Sequence, residues 1–446
     1  MIRSILLALV LALPLTAQAP PEPATLLQSG PMVGYGEITE SIIWVQTVEP
    51  TEAQVRYWVE GKPETARLSA PVVTSEAGDR IATFVLPRLA FGTTYEYEVY
   101  LDGGRVALDY PTRFRTQPMW RWRADPPRFT VAVGSCAYVN DPPFDRPGTP
   151  YGSDMRIFET IAAAAPDLML WIGDNVYYRE ADWESESGMR YRYAHTRALE
   201  ELQPLLAATH HYATWDDHDY GPNNSDRTYP MKEVALEIFD DYWTPRTLGT
   251  PETPGVFQKI TWADVDFFLL DDRYHRSPND LPPGSEKTML GDEQLAWLME
   301  SLASSDAPFK IVVNGNQVLN RAGGDEALAN FVDYERLLRF LGDARIEGVV
   351  FVSGDRHHGI LMRDQPEGMY PLYDLTTSPL TAGFGAPREG ADHPLVVPGT
   401  LVVGHNYATL AFSGPRTDRV LTMRLHDVDG RTLWERTIRA SELRFQ

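Results

Sequence analysis

The 446-residue chain carries 40 Lys and Arg against 62 Asp and Glu, a formal net charge of −22 at pH 7. A field of that sign repels nucleic acid and acidic membranes, so no specific nucleic-acid binding is expected. Hydrophobic content of 43% with 11% aromatics excludes a disordered chain and allows two or three domains with their own cores, while a single cysteine, Cys136, excludes an intrachain disulfide.

The chain opens with Met1-Ile2-Arg3, an apolar run over residues 5–15 and the small residues Ala17-Gln18-Ala19. The run is too short to cross a bilayer. It reads as a general secretory signal peptide over residues 1–19, with Ala17 as an alternative cleavage point because Pro20 is an awkward first residue. The expectation is an exported protein, periplasmic or extracellular, with no membrane span in the mature chain.

Residues 28–116 have all-β character. Ile42-Ile43-Trp44-Val45, Val55-Arg56-Tyr57-Trp58-Val59 and Ile81-Ala82-Thr83-Phe84-Val85 are short β-branched or aromatic runs, and residues 94–100 alternate strictly. A small sandwich of fibronectin or immunoglobulin type fits this stretch. Residues 117–127 read as a linker. Over 128–446 the pattern becomes α/β. Strands are expected at 129–133, 168–172, 211–215, 267–270, 311–313 and 349–352. Helices are expected at 153–164 and 231–242 and before the last two of those strands. Strands over 400–412, 420–426 and 432–436 close the chain.

Six of these apolar strands end in reactive residues. The ends are Gly134-Ser135-Cys136, Gly173-Asp174-Asn175-Val176-Tyr177, Asp216-Asp217-His218-Asp219, Asp271-Asp272-Arg273, Asn314-Gly315-Asn316-Gln317 and Ser353-Gly354-Asp355-Arg356-His357-His358. In open α/β sheets, ligands sit outside the carboxyl ends of strands. Any one such Asp is more often a cap or turn residue, and Asp271 is the example, with Arg273 beside the pair. His210 and His211 read as surface or packing residues, and His358 is ambiguous. Six ends together call for a site.

Carboxylates and Asn carbonyls suit hard divalent cations, whereas His, Tyr and a thiolate suit iron or zinc. A mixed set implies two or more ions, which together activate water and neutralise a phosphoryl oxygen. His218 can then protonate a leaving oxygen or stabilise the transition state. Arg273 offers planar donors for phosphate, or else a structural ion pair with an aspartate; Arg276 can share or take its role.

These motifs, in this order, resemble the PhoD-type alkaline phosphatases (alkaline phosphatase D), a branch of the calcineurin-like metallophosphoesterases, over about residues 128–385. The resemblance implies an α/β (α+β) sandwich of two mixed β-sheets flanked by helices, behind the small all-β domain. It implies that Cys136, Tyr177 and His357 bind Fe3+ and that Asp174 bridges the iron and a second metal, Ca2+. Asp217 and Asp355 are implied as ligands of that second metal, and His218 as the transition-state histidine. Asn316, Asn223 and Asn224 are weaker carry-overs, and Tyr178 is an alternative to Tyr177. Other divalent metals remain open. The implied activity is hydrolysis of small phosphomonoesters or phosphodiesters by metal-activated hydroxide, for phosphate scavenging. A phospholipase-like diesterase and a non-catalytic metal- or phosphate-binding protein are the competing readings. A purple acid phosphatase is the nearest rival, but that branch keeps Asp-x-His and Gly-Asn-His where this chain has Ser-Cys and Asp-Asp-His-Asp. Oligomeric state has no signal in the sequence.

Overall fold

The computed structural model describes residues 22–282, 284, 286–385 and 393–446. The expected signal peptide, residues 1–19, lies outside the described residues. The N-terminal unit is built mainly from β1 (Leu27–Gly36), β2 (Glu40–Thr47), β3 (Glu52–Val59), β4 (Ile81–Pro87) and β5 (Thr94–Leu101), with short strands such as Arg113–Arg115 at the edges. The alternation seen over residues 94–100 is realised in β5, which buries Tyr95, Tyr97, Val99 and Leu101 and leaves the residues between them half-buried. One sheet has the order β1-β2-β4, and the other is centred on the antiparallel pair β3-β5. Val33, Ile43 and Phe84 from the first sheet meet Val55, Tyr97 and Phe114 from the second in one core. Burial of such faces is what drives a two-sheet unit of this size to close.

The second unit runs through β6 (Phe129–Gly134), α1 (Arg156–Ala164), β7 (Leu168–Ile172), α2 (Glu186–Arg197), β8 (His210–Thr214) and α3 (Lys232–Trp243). It continues with β9 (Gln258–Trp262), β10 (Val265–Leu269), α4 (Asp292–Ala303), β11 (Phe309–Asn314), α5 (Val332–Asp343) and β12 (Val349–Ser353). The last strands are β13 (Ile360–Asp364), β14 (Leu372–Thr376), β15 (Asn406–Ser413), β16 (Val420–Asp427) and β17 (Thr432–Arg439). One mixed sheet has the order β8-β7-β6-β15-β16-β17, and the other β9-β10-β11-β12-β14-β13. Strands β6, β7 and β8 are parallel, as are β10, β11, β12 and β14. Their carboxyl ends therefore point the same way within each sheet.

The inward faces interlock: Phe412 of β15 meets Phe267 of β10 edge-on, with ring centroids 6.1 Å apart. Outward residues such as Met169, Trp171 and Ala213 pack under α1, α2 and α3, and Trp297 of α4 lies against Phe268 of β10. The expected sandwich of two mixed sheets flanked by helices is the observed fold.

The two units are stapled together by buried polar contacts. Gln117 donates to the carbonyls of Gly36 (3.0 Å) and Thr261 (3.2 Å) and accepts from the amide of Ala263 (3.0 Å). The Tyr97 hydroxyl donates to the Ala207 carbonyl at 2.9 Å. His210 is buried at this junction, against the carbonyls of Gly34 and Arg115, so of its two expected roles it has the packing one. His211 is also buried. Its Nδ1 accepts from Trp171 Nε1 at 2.9 Å, so its proton resides on Nε2, which faces the Leu205 carbonyl at 3.1 Å.

Burial pushes the His211 ring down to about 3, below its ordinary value of about 6.5. Below pH ~6.5 the unfolded chain takes a proton that the folded chain refuses, so stability falls as pH drops towards 3, by up to ~1.4 kcal/mol per unit. His211→Gln is expected to lower the unfolding midpoint at pH 8 but to make it fall less steeply than wild type between pH 6.5 and 4.5. Thermal unfolding across that range checks this, and a slope equal to wild type contradicts it.

Candidate metal centre

The carboxyl ends of the parallel strands converge where the two sheets meet. Cys136 follows β6, and its amide donates to the Gly173 carbonyl after β7 at 3.2 Å. The amide of Gly354, after β12, donates to the carbonyl of Gly315, after β11, at 2.9 Å. A Cβ on Gly173 would lie 2.7 Å from Asp216 Cβ, so only glycine lets the β7 and β8 ends come this close. Beyond these turns Cys136 (φ 60°), Asp174 (φ 53°), Asp355 (φ 65°) and His357 (φ 54°) all adopt the left-handed conformation. Each costs about 1–2 kcal/mol for an L-residue, and such strain concentrates at functional sites.

The result is three groups of candidate ligands that share one carboxylate. Cys136, Asp174 and His357 form one, Asp174, Asp217 and His218 the second, and Asp174, Asp216 and Asp355 the third; within each, the donor atoms lie within 4.8 Å of one another. Tyr177 joins the first group, donating to Asp174 Oδ2 at 2.9 Å and lying 3.3 Å from His357 Nε2. Tyr178 turns the other way, into the core beside Tyr193. His357 Nδ1 faces the carbonyl of Gly383, which can only accept. That fixes the proton on Nδ1 and leaves the Nε2 lone pair aimed at the cluster, the arrangement that orients a metal-ligating histidine.

Burial and the like charges of Asp217, Asp219 and Asp355 hold the Asp174 carboxyl well above the usual range. Burial and Asp217 push Asp355 up to about 7, and burial, then Asp174, raises the Cys136 thiol. Burial alone would raise Asp217 too, but His218, Arg273 and the amide of Asn224 hold it low. Asp355 Oδ2 is buried with no hydrogen-bond partner among the described residues. A thiol, a phenol, imidazoles and several carboxylates under these conditions fit cations: each gains by ionising only when a positive charge sits among them.

Arg273 is not free to supply that charge. Its Nε donates to Asp216 Oδ1 at 2.6 Å, and its remaining nitrogens face Asn316 Oδ1 (3.2 Å) and the Ser225 carbonyl (3.4 Å). Burial opposes its charge, but Asp216, Asp217 and Asp272 more than compensate. Of its two expected roles the structure gives it the ion pair. Arg276, fully buried, donates to Asn279, Asn316 and the Asp325 carbonyl, so it does not share a substrate-facing role in this arrangement. Asn316 likewise has its carbonyl occupied by both arginines, while its Nδ2 donates to Asp216 Oδ2 at 3.0 Å. Asn223 and Asn224 are exposed, and the contact from Asn224 is its backbone amide to Asp217 Oδ2 at 2.5 Å. Asp271 is a turn residue, accepting from Trp215 Nε1 and the amides of Arg273 and Tyr274. His358 is buried, and burial and then Arg356 push its ring down to about 4.

Three contributors were not assigned roles from sequence. Asp216 reaches the third ligand group, although it reads as a neighbour of Asp217. Asp219 receives the amides of Asp174, Asn175 and Asp216 at 3.3, 3.1 and 2.7 Å, shaping the turn that aims Asp174. Ser378 accepts from the His357 amide at 2.9 Å and donates to Cys136 Sγ at 3.1 Å. Asp216 and Asp219 stand inside a visible motif; Ser378, in the loop after β14, has no local signal.

A family model for PhoD-like phosphatases matches residues 131–401. The chain belongs to the PhoD-like phosphatase family. A second model, for a domain of unknown function (DUF7800), matches residues 24–119. Among curated relatives, alkaline phosphatase D of Bacillus subtilis (strain 168) is 23% identical over 322 residues, covering 59% of this chain and 53% of the relative. The alignment thus spans about half the length of that relative. A solved structure of PhoD superposes with TM-score 0.76 at 16% identity, covering 96% of this chain and 93% of that one. A purple acid phosphatase from yellow lupin (Lupinus luteus) seeds superposes at 0.67 with 11% identity, covering 93% and 75%. At those identities the superpositions establish a shared fold.

As a PhoD-like chain with a shared carboxylate, this one yields a test that needs no activity. In chelator-treated protein the raised carboxyl of Asp174 costs stability as pH rises above the unfolded value, because the folded state must ionise or hold a proton against solution. Asp174→Asn is therefore expected to raise the unfolding midpoint of chelated protein at pH 8 by about 2–6 °C, and to abolish the further rise expected of wild type when divalent and ferric ions are added. A calorimetric scan checks both, and a variant that keeps the metal-induced rise contradicts the shared role.

Proposed function

We propose that the chain is an exported hydrolase of phosphomonoesters and phosphodiesters that works with Fe3+ and Ca2+ and serves phosphate scavenging. The observation that carries this is the set of three ligand groups meeting at Asp174, in a chain of the PhoD-like phosphatase family. Cys136, Tyr177 and His357 with Asp174 form the softer set and would hold the iron. Asp217 from the second group and Asp355 from the third would, with Asp174, supply the oxygen donors that hold calcium; Asp216 is a further donor there. Two such cations, when bound, supply Lewis acidity to an attacking water and to the phosphoryl oxygens.

The protein's own residues do the rest. Asp174 fixes the spacing between the two sets. Ser378 points its hydroxyl hydrogen at Cys136 Sγ and so favours the thiolate. His218 packs against Tyr177 at a tilt of 31°, with ring centroids 4.4 Å apart, and belongs to the second ligand group. Burial, with Arg273, Arg179 and Arg146, lowers its proton affinity despite Asp217. A neutral imidazole that donates a hydrogen bond to a phosphoryl or leaving oxygen suits this better than a strong acid. Water adds to phosphorus, the bond from phosphorus to the leaving oxygen breaks, and that oxygen takes up a proton, giving alcohol and phosphate or a phosphomonoester. Arg273 acts through Asp216 as a positioning residue.

Among the described residues no helix is long and apolar enough to cross a membrane. Purified protein is expected to contain iron and calcium by elemental analysis. Cys136→Ala and Tyr177→Phe are each expected to lose the iron and its visible charge-transfer band. His218→Ala is expected to retain both metals and lose about 10²–10⁴-fold in kcat. Stoichiometric zinc alone would overturn the metal assignment. A metal-loaded wild type inactive on both p-nitrophenyl phosphate and bis-p-nitrophenyl phosphate would overturn the activity.

A further inference from the structure

One wall of the cluster runs outward as a row of rings. His218 packs tilted against Tyr177 at 4.4 Å, and Tyr177 meets Tyr151 edge-on at 6.4 Å. Tyr177 is 4% exposed and Tyr151 45%, so the row leads from a ligand candidate to solvent. Tyr151 also lies 6.0 Å from the His357 ring, with its hydroxyl 3.3 Å from Nδ1. The ring abuts the Gly383 backbone, where an added Cβ would lie 2.7 Å from Tyr151 Cε2.

The segment that carries Tyr151 is held before any substrate arrives. Asn140 and Gly152 close its base with reciprocal hydrogen bonds of 2.6 and 2.9 Å. Between them Pro142, Pro143, Pro147 and Pro150 fix φ and reduce the entropy lost on ordering. Asp145 ties the middle down, accepting from Tyr138 Oη at 2.8 Å and Arg179 Nε at 3.0 Å. Arg146, exposed on the same segment, is close enough for its charge to act on His218. A tied-down segment thus presents a half-exposed ring beside Tyr177 and His357, on the solvent side of the cluster.

Resting on the phosphoesterase reading of this site, we propose that Tyr151 is the leaving-group platform, selecting phosphate esters of planar aromatic or heteroaromatic alcohols over those of small aliphatic ones. A flat leaving group attached to a phosphoryl oxygen would lie on the Tyr151 ring while the phosphoryl group occupies the cluster. Stacking of this kind is sequence- and substituent-tolerant because it uses the π face alone. The ring is what matters here, and the hydroxyl is not required.

The test measures binding of phenylphosphonate and methylphosphonate, neither of which can be hydrolysed, to the metal-loaded protein by calorimetry. Wild type is expected to bind the phenyl compound about tenfold more tightly than the methyl one, the size of a single stacking contact. Tyr151→Ala is expected to bring that ratio close to one while leaving methylphosphonate affinity within about twofold. Tyr151→Phe should retain the ratio, and so should Phe144→Ala, a variant of the same segment whose ring packs against Tyr191. A ratio unchanged in Tyr151→Ala, equal losses for both ligands, or a Tyr151→Phe variant that behaves like the alanine overturns the platform. Failure of wild type to bind either phosphonate would instead overturn the phosphoesterase reading and the platform with it.

Discussion

Asp174 sits within ligand distance of a thiol, two imidazoles and three other carboxylates, and a protein interior does not let so many groups carry negative charge together. Burial and like-charged neighbours raise the carboxyls of Asp174 and Asp355 and the Cys136 thiol, while Asp217 is held low by His218 and Arg273. The fold accepts this at the cost of four residues in left-handed backbone, each at the end of a strand turn. The cooperative packing of the two mixed sheets holds those turns in place. Cys136 can meet Asp174 because β6 and β7 are parallel neighbours, and Asp355 can meet both because the second sheet closes over the first through Phe267, Phe309 and Phe412.

Among the described residues, positive side-chain charge only partly offsets the cluster. Arg273 is the cation nearest to it in function, yet it is taken up by Asp216 and bracketed by Asn316. Replacing such a buried pair by one partner alone is strongly destabilising, so Arg273 and Asp216 are best understood as one unit that fixes the β8 end. Arg276, Asn316 and Asp272 extend the same buried network. On the proposed function, bound cations would satisfy the remaining carboxylates, so the charge arrangement and the proposed chemistry have a common origin.

Much of this was legible in the sequence because the relevant strands are buried on both faces and read as plain apolar runs, each punctuated by Gly or Asp. The expected strand at residues 168–172 coincides with β7, and the turn role of Asp271 follows from its neighbours. Other elements were hidden for identifiable reasons. Strand β1, LQSGPMVGYG, contains glycines and a proline that normally argue against a strand; it exists because β2 and the second unit cover it. Helix α2 buries Arg192 and Arg197, with Arg192 paired to Asp141 and Asp182, so its charged core positions erase the helical period. The expected helix at residues 153–164 begins only at Arg156. At the centre, neighbouring aspartates 216 and 217 cannot be told apart by spacing, because the turn after β8 brings both to the ligand groups. The choice between Tyr177 and Tyr178 also needed the backbone, which turns one phenol to Asp174 and the other to the core.

The central claim is that one carboxylate joins two cation sites of different character. Anomalous diffraction from crystals of the metal-loaded protein, recorded on either side of the iron absorption edge, tests it most directly. The account predicts two separate peaks, both within bonding distance of Asp174, with only the peak beside Cys136 Sγ, Tyr177 Oη and His357 Nε2 changing across the edge. A single peak, or an iron peak that does not contact Cys136 and Asp174, would contradict it.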